Sequence, residues 1–101
     1  MQDAILQQVK ATVRQIDPQA EVILFGSRAR GDARPDSDWD FLVLTSLEES
    51  LETERLFWDA LLEVELASQA VITALIHTQR KEPDRRASPL YQNINKEGVA
   101  V

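Results

Sequence analysis

The sequence predicts an α/β (α+β) fold, a small mixed β-sheet flanked by helices. Three observations carry that expectation. Residues 2–16 and 47–66 space their apolar side chains by three and four, the period of an amphipathic helix. Residues 21–25, 38–44 and 70–77 are short apolar runs rich in strand formers. The two kinds of segment alternate along 101 residues, which is room for a single domain spanning 1–101.

The elements follow in order. In residues 2–16, Ile5, Leu6, Val9, Val13 and Ile16 form one apolar face. Asp3 suits the positive end of that helix, and Asp17-Pro18 ends it. EVILF at 21–25 reads as a buried strand broken by Gly26-Ser27. Residues 27–37 are polar and contain Gly31 and Pro35, so a helical turn followed by a loop is expected. DWDFLVL at 38–44 begins polar and becomes apolar, giving the second strand. In 47–66, Leu51, Leu56, Phe57, Trp58, Leu61, Leu62 and Leu66 alternate with acids in the longest helix. AVITALIH at 70–77 is the third strand, and 79–87 is a charged loop. Ser88-Pro89 opens a terminal helix over 89–97, Gly98 ends it, and Val99–Val101 adds a short strand.

Composition removes several classes of function. Seventeen acidic residues against eleven basic ones give a net charge of −6, the wrong sign for a nucleic-acid-coating protein. The absence of cysteine excludes disulfides, thiolate metal sites and cysteine nucleophiles. One histidine, His77, leaves no basis for a multi-histidine metal site. No stretch approaches the ~20 apolar residues of a membrane span, and the first fifteen residues lack the pattern of a secretory leader. A cytoplasmic setting is expected.

Chemistry concentrates in GSRARGDARPDSDWDFLV, residues 26–43. At one end, a glycine allows close backbone approach and positive φ. Ser27 adds a hydroxyl, and the N–H groups that open a helix favour an anion such as phosphate. The glycine spacing of Gly26 and Gly31 superficially fits a Walker A loop, but Asp32 and Ala33 stand where lysine and a hydroxyl residue belong. At the other end, Asp38 and Asp40 are two apart on a strand, so they share a face, and Trp39 points the opposite way into packing. Two carboxylates ~4 Å apart repel by about 4 kcal/mol at an effective dielectric of ~20. The pair is therefore either solvated at a strand edge or a set of hard oxygen donors for Mg²⁺ or Mn²⁺. Neighbouring strands would bring a phosphate cradle beside a metal pair, the arrangement that phosphoryl or nucleotidyl transfer requires.

Gly26-Ser27, ten residues, and then Asp38-x-Asp40 match the G-S-x10-D-x-D signature of the DNA polymerase β-like nucleotidyltransferase superfamily. More narrowly, the chain resembles minimal nucleotidyltransferase (MNT) proteins. RARGDARPDSDWDFLV is typical of them, and SPLYQNINKEGVAV resembles their C-terminal segment. The resemblance implies a nucleotidyltransferase fold and an NTP substrate, with ATP the expected one. Gly26 and Ser27 would bind its triphosphate with help from Arg28, and Asp38 and Asp40 would hold Mg²⁺ or Mn²⁺. A nucleoside monophosphate would pass to an acceptor hydroxyl with release of pyrophosphate. It also implies a possible antitoxin role beside a HEPN-domain toxin. One departure matters. Active members usually carry a third carboxylate on the next long strand, and AVITALIHT has none. Thr73 falls at that position, which raises the alternative of a nucleotide- or partner-binding module with little catalysis. The acids Glu48, Glu49, Glu52, Glu54, Asp59, Glu63 and Glu65 form either a solvated helix side or a dock for a basic partner.

Overall fold

In the computed structural model, residues 2–79 and 96–101 are described. The elements are α1 (Gln2–Ile16), β1 (Glu21–Phe25), α2 (Ser27–Arg30), β2 (Trp39–Thr45), α3 (Leu51–Ser68), β3 (Ile72–Thr78) and β4 (Val99–Ala100). The sheet order is β3-β2-β1-β4. β1 runs antiparallel to β2 and to β4, whereas β2 and β3 are parallel and joined through α3. The sheet is therefore mixed, as the sequence predicts. The expected loop over 80–87 and the first seven residues of the terminal helix lie outside the described residues. Lys96 and Glu97 are helical, and the expected last strand is β4.

Strand alternation decides where the core sits. Val22, Leu24, Trp39, Phe41, Val43 and Ile76 form one face of the sheet, and Val9 and Val13 of α1 with Phe57, Leu61 and Val64 of α3 cover it. Phe41, Val43, Val9, Val13 and Phe57 are wholly buried. Burying such a side chain contributes roughly 1.5–3 kcal/mol each. Both long helices thus lie on the one face that the odd-numbered residues of β2 supply. The other face carries Leu42 and Leu44, packed with Ile23, Phe25 and Leu75. Asp40 belongs to that second row, at its end.

Several boundaries differ from the sequence reading: the second strand begins at Trp39 rather than Asp38, the third spans Ile72–Thr78 rather than 70–77, and the long helix is displaced at both ends for local reasons. The long helix starts at Leu51 rather than at residue 47, because the Ser50 hydroxyl accepts a hydrogen bond from the Thr53 amide and caps it. It runs on to Ser68 and stops where Gln69 takes a left-handed conformation. The second strand gains Thr45, whose hydroxyl is drawn into the interior by Asp17.

Asp17 does more than end α1. Its buried carboxylate accepts from the Thr45 hydroxyl at 2.7 Å, the Ser46 amide at 2.7 Å, the Ser46 hydroxyl at 2.9 Å and the Gln19 amide at 3.0 Å. It thereby ties the end of α1 to the end of β2. Burial alone would raise the pKa of this carboxyl, but the donors from Thr45, Ser46 and Gln19 outweigh it and hold the group below its ordinary value. No helix among the described residues is long and apolar enough to cross a membrane.

Replacing Asp17 by alanine strands a buried hydroxyl and an amide, and should lower unfolding free energy by roughly 2–4 kcal/mol in urea titrations at pH 7. Because the native pKa is depressed, this contribution is full above the unfolded carboxyl value of ~3.9. It is lost as pH falls through the native value. The difference between wild type and Asp17→Ala should therefore shrink in acid; a difference that stays constant down to pH 2 would refute the assignment.

Candidate active site

The bend after β1 is built on a glycine in a backbone conformation that side chains strongly disfavour. Gly26 has φ +78° and ψ −158°, a region open essentially to glycine alone. A Cβ placed there would collide with the Asp40 carboxylate oxygen and lie 3.2 Å from its Cγ. The β1–β2 register explains the proximity, because Phe25 is the Cα partner of Asp40. The glycine–serine bend and the acid pair therefore share one corner of the sheet.

Ser27 then opens α2, a single turn in which the Gly26 carbonyl accepts from the Ala29 and Arg30 amides at 3.1 Å. Gly31 closes it in the left-handed region, its amide donating to the Ser27 carbonyl. The Ser27 and Arg28 amides stand ahead of these bonds, at the end of the turn where a helix has no acceptor of its own to give them.

Asp38 is exposed and Asp40 half-buried. Asp40 lies on the face of β2 opposite Trp39, which is buried in the helix-covered core, and Asp38 immediately precedes the strand. The Asp40 carboxyl is pushed above its ordinary pKa, first by burial and then by the charge of Asp38, with Arg30 pulling the other way. The corner is thus a place where negative charge is held at a disadvantage and a cation would be welcome. Across the parallel ladder, the Cα partner of Asp40 is Thr73, which is exposed. The third position expected from the sequence is therefore beside the acid pair, and it holds a hydroxyl.

Arg28, expected from the resemblance to assist the phosphates, is held on the Trp39 side of β2. Its guanidinium lies over the Trp39 ring, 4.2 Å from the centroid, on the side of β2 away from the acids. Its Nη2 donates to the carbonyls of Pro35 at 3.2 Å and Ser37 at 3.0 Å. Arg28 is thus engaged in fastening the 31–38 loop to the sheet, and it is not brought to the carboxylates. The arginine whose charge reaches Asp40 is Arg30, which sequence reasoning passed over. Arg30 also pairs with Asp32 at 3.4 Å and Glu97 at 3.2 Å, both exposed contacts. Its signal was available in the helical offset: residues 28 and 30 of a single turn point in different directions.

His77 stands at the far end of β3 and pairs with Glu49 at 3.3 Å, remote in register from Thr73. Among the described residues, no three His, Cys, Asp or Glu side chains cluster as they would around a metal ion.

Comparison with known proteins gives a consistent picture. Residues 6–101 match the family of the nucleotidyltransferase domain. No curated protein matches the chain. Among solved structures, one similar chain comes from a toxin–antitoxin crystal structure with AMP-PNP, with a TM-score of 0.67 and 18% identity over 93% of this chain and 69% of that one. Another comes from a tri-AMPylated Shewanella oneidensis HEPN toxin in complex with MNT antitoxin, with a TM-score of 0.63 and 18% identity over 99% of this chain and 71% of that one. At that identity the two likenesses establish the shared fold.

The two positive-φ glycines should respond differently to alanine. At Gly31 (φ +84°) nothing lies within 4 Å of an added Cβ, so Gly31→Ala should cost only the left-handed strain of about 1–2 kcal/mol. Gly26→Ala, in a region essentially closed to side chains, also obliges the Asp40 carboxylate to move and should cost about 1–3 kcal/mol more. Equal losses in denaturant titrations would mean that the bend does not abut Asp40.

Proposed function

The chain belongs to the nucleotidyltransferase domain family, and on that premise we propose that it binds an NTP, ATP foremost, and transfers the nucleoside monophosphate to a hydroxyl of a second protein in the cytoplasm. The observation that carries this reading is the abutment of Gly26 on Asp40. A triphosphate held at the bend would have its reacting phosphorus beside the carboxylates.

The donor set suits a hard divalent cation. Asp38 and Asp40 offer oxygens from one face, and the disfavoured charge on Asp40 is what such an ion would relieve. Mg²⁺ or Mn²⁺ would be held by these two side chains, with water and phosphate oxygens completing its shell. When bound, it would neutralise phosphate charge and favour displacement at the α-phosphorus. The chain's own groups have separate tasks. The Ser27 hydroxyl and the first-turn amides hold phosphate oxygens. Arg30, beside Asp40, offers a second positive charge once released from its exposed carboxylate partners. The acceptor oxygen attacks the α-phosphorus and pyrophosphate leaves.

Thr73 supports a slower version of this chemistry. A threonine hydroxyl does not accept a proton at neutral pH, so the acceptor loses the assistance a carboxylate would give. The same observation favours the second reading, a nucleotide-binding module with weak chemistry. The acceptor class is suggested by the similar structures, one of which is a toxin carrying AMP groups in complex with its antitoxin. A HEPN-domain protein is accordingly the acceptor to try.

With α-labelled ATP, Mg²⁺ and a HEPN-domain acceptor, label should pass to the acceptor, and Asp40→Asn should abolish transfer while leaving the fold intact. Thr73→Asp should accelerate it by roughly 10²-fold or more. Transfer that survives Asp40→Asn would sink the mechanism. ATP binding without transfer by wild type, converted to transfer by Thr73→Asp, would select the second reading.

A further inference from the structure

The helix α3 has two apolar sides, and only one is used by the core. Thr53, Phe57, Leu61 and Val64 are buried against the sheet. Leu51, Trp58, Leu62 and Leu66 are 58%, 44%, 50% and 73% exposed. At about 100° per residue these four fall within one stripe along the helix. A stripe of this kind on a net-negative surface is more than the scattered apolar exposure that needs no explanation.

Two further features give it an address. The stripe is bordered by acids: Glu52, Asp59 and Glu63, all exposed, recur along one flank at seven- and four-residue spacing. Arg55, the single basic residue of the helix, is exposed within the stripe between Leu62 and Leu66, and Leu56 lies beyond the acidic flank. The other border of the stripe falls into a groove of about 420 Å³ between α3 and β3, lined by Trp58, Leu62, Glu65, Ile72, Thr73 and Ala74. Trp58 forms its wall, its indole N–H donating to the Ala74 carbonyl at 3.2 Å. Thr73 is also the Cα partner of Asp40. Thr73 thus belongs both to the groove's lining and to the strand pair that carries Asp40, whose carboxylate lies on the other face of the sheet.

We propose that α3 and the β3 edge form the docking surface for the acceptor protein, which presents an amphipathic helix with an apolar stripe and Lys or Arg on its flanks. Flanking charges select partners in helix pairing. A second copy of this chain would bring the acidic flank of one α3 against that of the other, so charge disfavours self-pairing. A basic-flanked helix is attracted along the same line and places the rest of its protein near Thr73. The inference rests on the reading that a second protein is the acceptor, and it adds where that protein sits.

A display library of 18-residue helical peptides, panned on the full chain, tests it. Enriched peptides should combine apolar residues at i, i+3/i+4 and i+7 with basic flanks. Leu62→Glu, at a half-exposed position outside the core, should weaken them at least 10-fold while leaving ATP affinity unchanged. Reversing Glu52, Asp59 and Glu63 to lysine should switch the preference to acidic-flanked peptides. Enrichment without charge preference, or binding indifferent to Leu62→Glu, would overturn the proposal. So would a dimer in sedimentation that Leu62→Glu dissolves, or binding of anionic phosphatidylserine vesicles through the same face. The two readings separate cleanly: peptide binding without ATP binding sinks the proposed nucleotide chemistry and keeps the surface, and ATP binding with no peptide recognition does the reverse.

Discussion

The Asp40 carboxylate occupies space that any side chain at residue 26 would fill. That single exclusion organises the corner. The chain leaves β1 in a conformation that essentially only glycine adopts, and the missing Cβ leaves room for the carboxylate beside the turn that follows. The antiparallel register of β1 and β2 sets the distance, since Phe25 and Asp40 face each other across the ladder. The bend and the acid are therefore not two features that happen to be close. Each limits what the other can be.

The strand β2 serves both sides of the sheet at once. Its odd-numbered residues, from Trp39 to Val43, belong to the helix-covered core. Its even-numbered ones begin with Asp40 and continue into Leu42 and Leu44. The loop that delivers Asp38 is held from the core side, by Arg28 lying on Trp39 and donating to the carbonyls of Pro35 and Ser37. A cation over an indole contributes about 0.5–2 kcal/mol, more as it is desolvated. The far end of the same strand is anchored by Asp17 through Thr45 and Ser46. One anchor at each end keeps a seven-residue strand in register, and register is what sets Asp40 opposite both Phe25 and Thr73.

Elements with strong period were legible in the sequence. The alternation of β2 was enough to separate Trp39 from Asp40, whereas the pairing of Thr73 with Asp40 comes from the parallel β2–β3 ladder, which the strand patterns alone do not specify. Long-range side-chain commitments were not legible. Arg28 and Arg30 are the same residue type two positions apart, and only the fold shows that one stacks on Trp39 while the other pairs with Asp32 and Glu97 with its charge felt at Asp40. Asp17 reads locally as a helix stop, since nothing in its neighbourhood indicates that Thr45 and Ser46, 28 and 29 residues on, will donate to it. The start of α3 was misplaced because Leu47 continues the apolar spacing, whereas Ser50 wins through a cap that periodicity does not register.

On the proposed reading, replacing a third carboxylate by Thr73 changes more than the acid–base chemistry. Asp40 is already disfavoured as an anion by burial and by Asp38, and a third charge in the same corner would add repulsion to be relieved only by a bound cation. With two carboxylates the empty corner is less strained, but it also presents fewer protein ligands, and a hard cation must complete its shell from water and phosphate oxygens. Cation and triphosphate then raise each other's affinity by linkage. The proposed docking groove includes Thr73, so an acceptor seated in it would border the strand next to Asp40. A hydroxyl there leaves that approach uncharged, so an acceptor can come alongside Asp40 without having to displace or neutralise another acid, at the expense of the base that would have taken its proton.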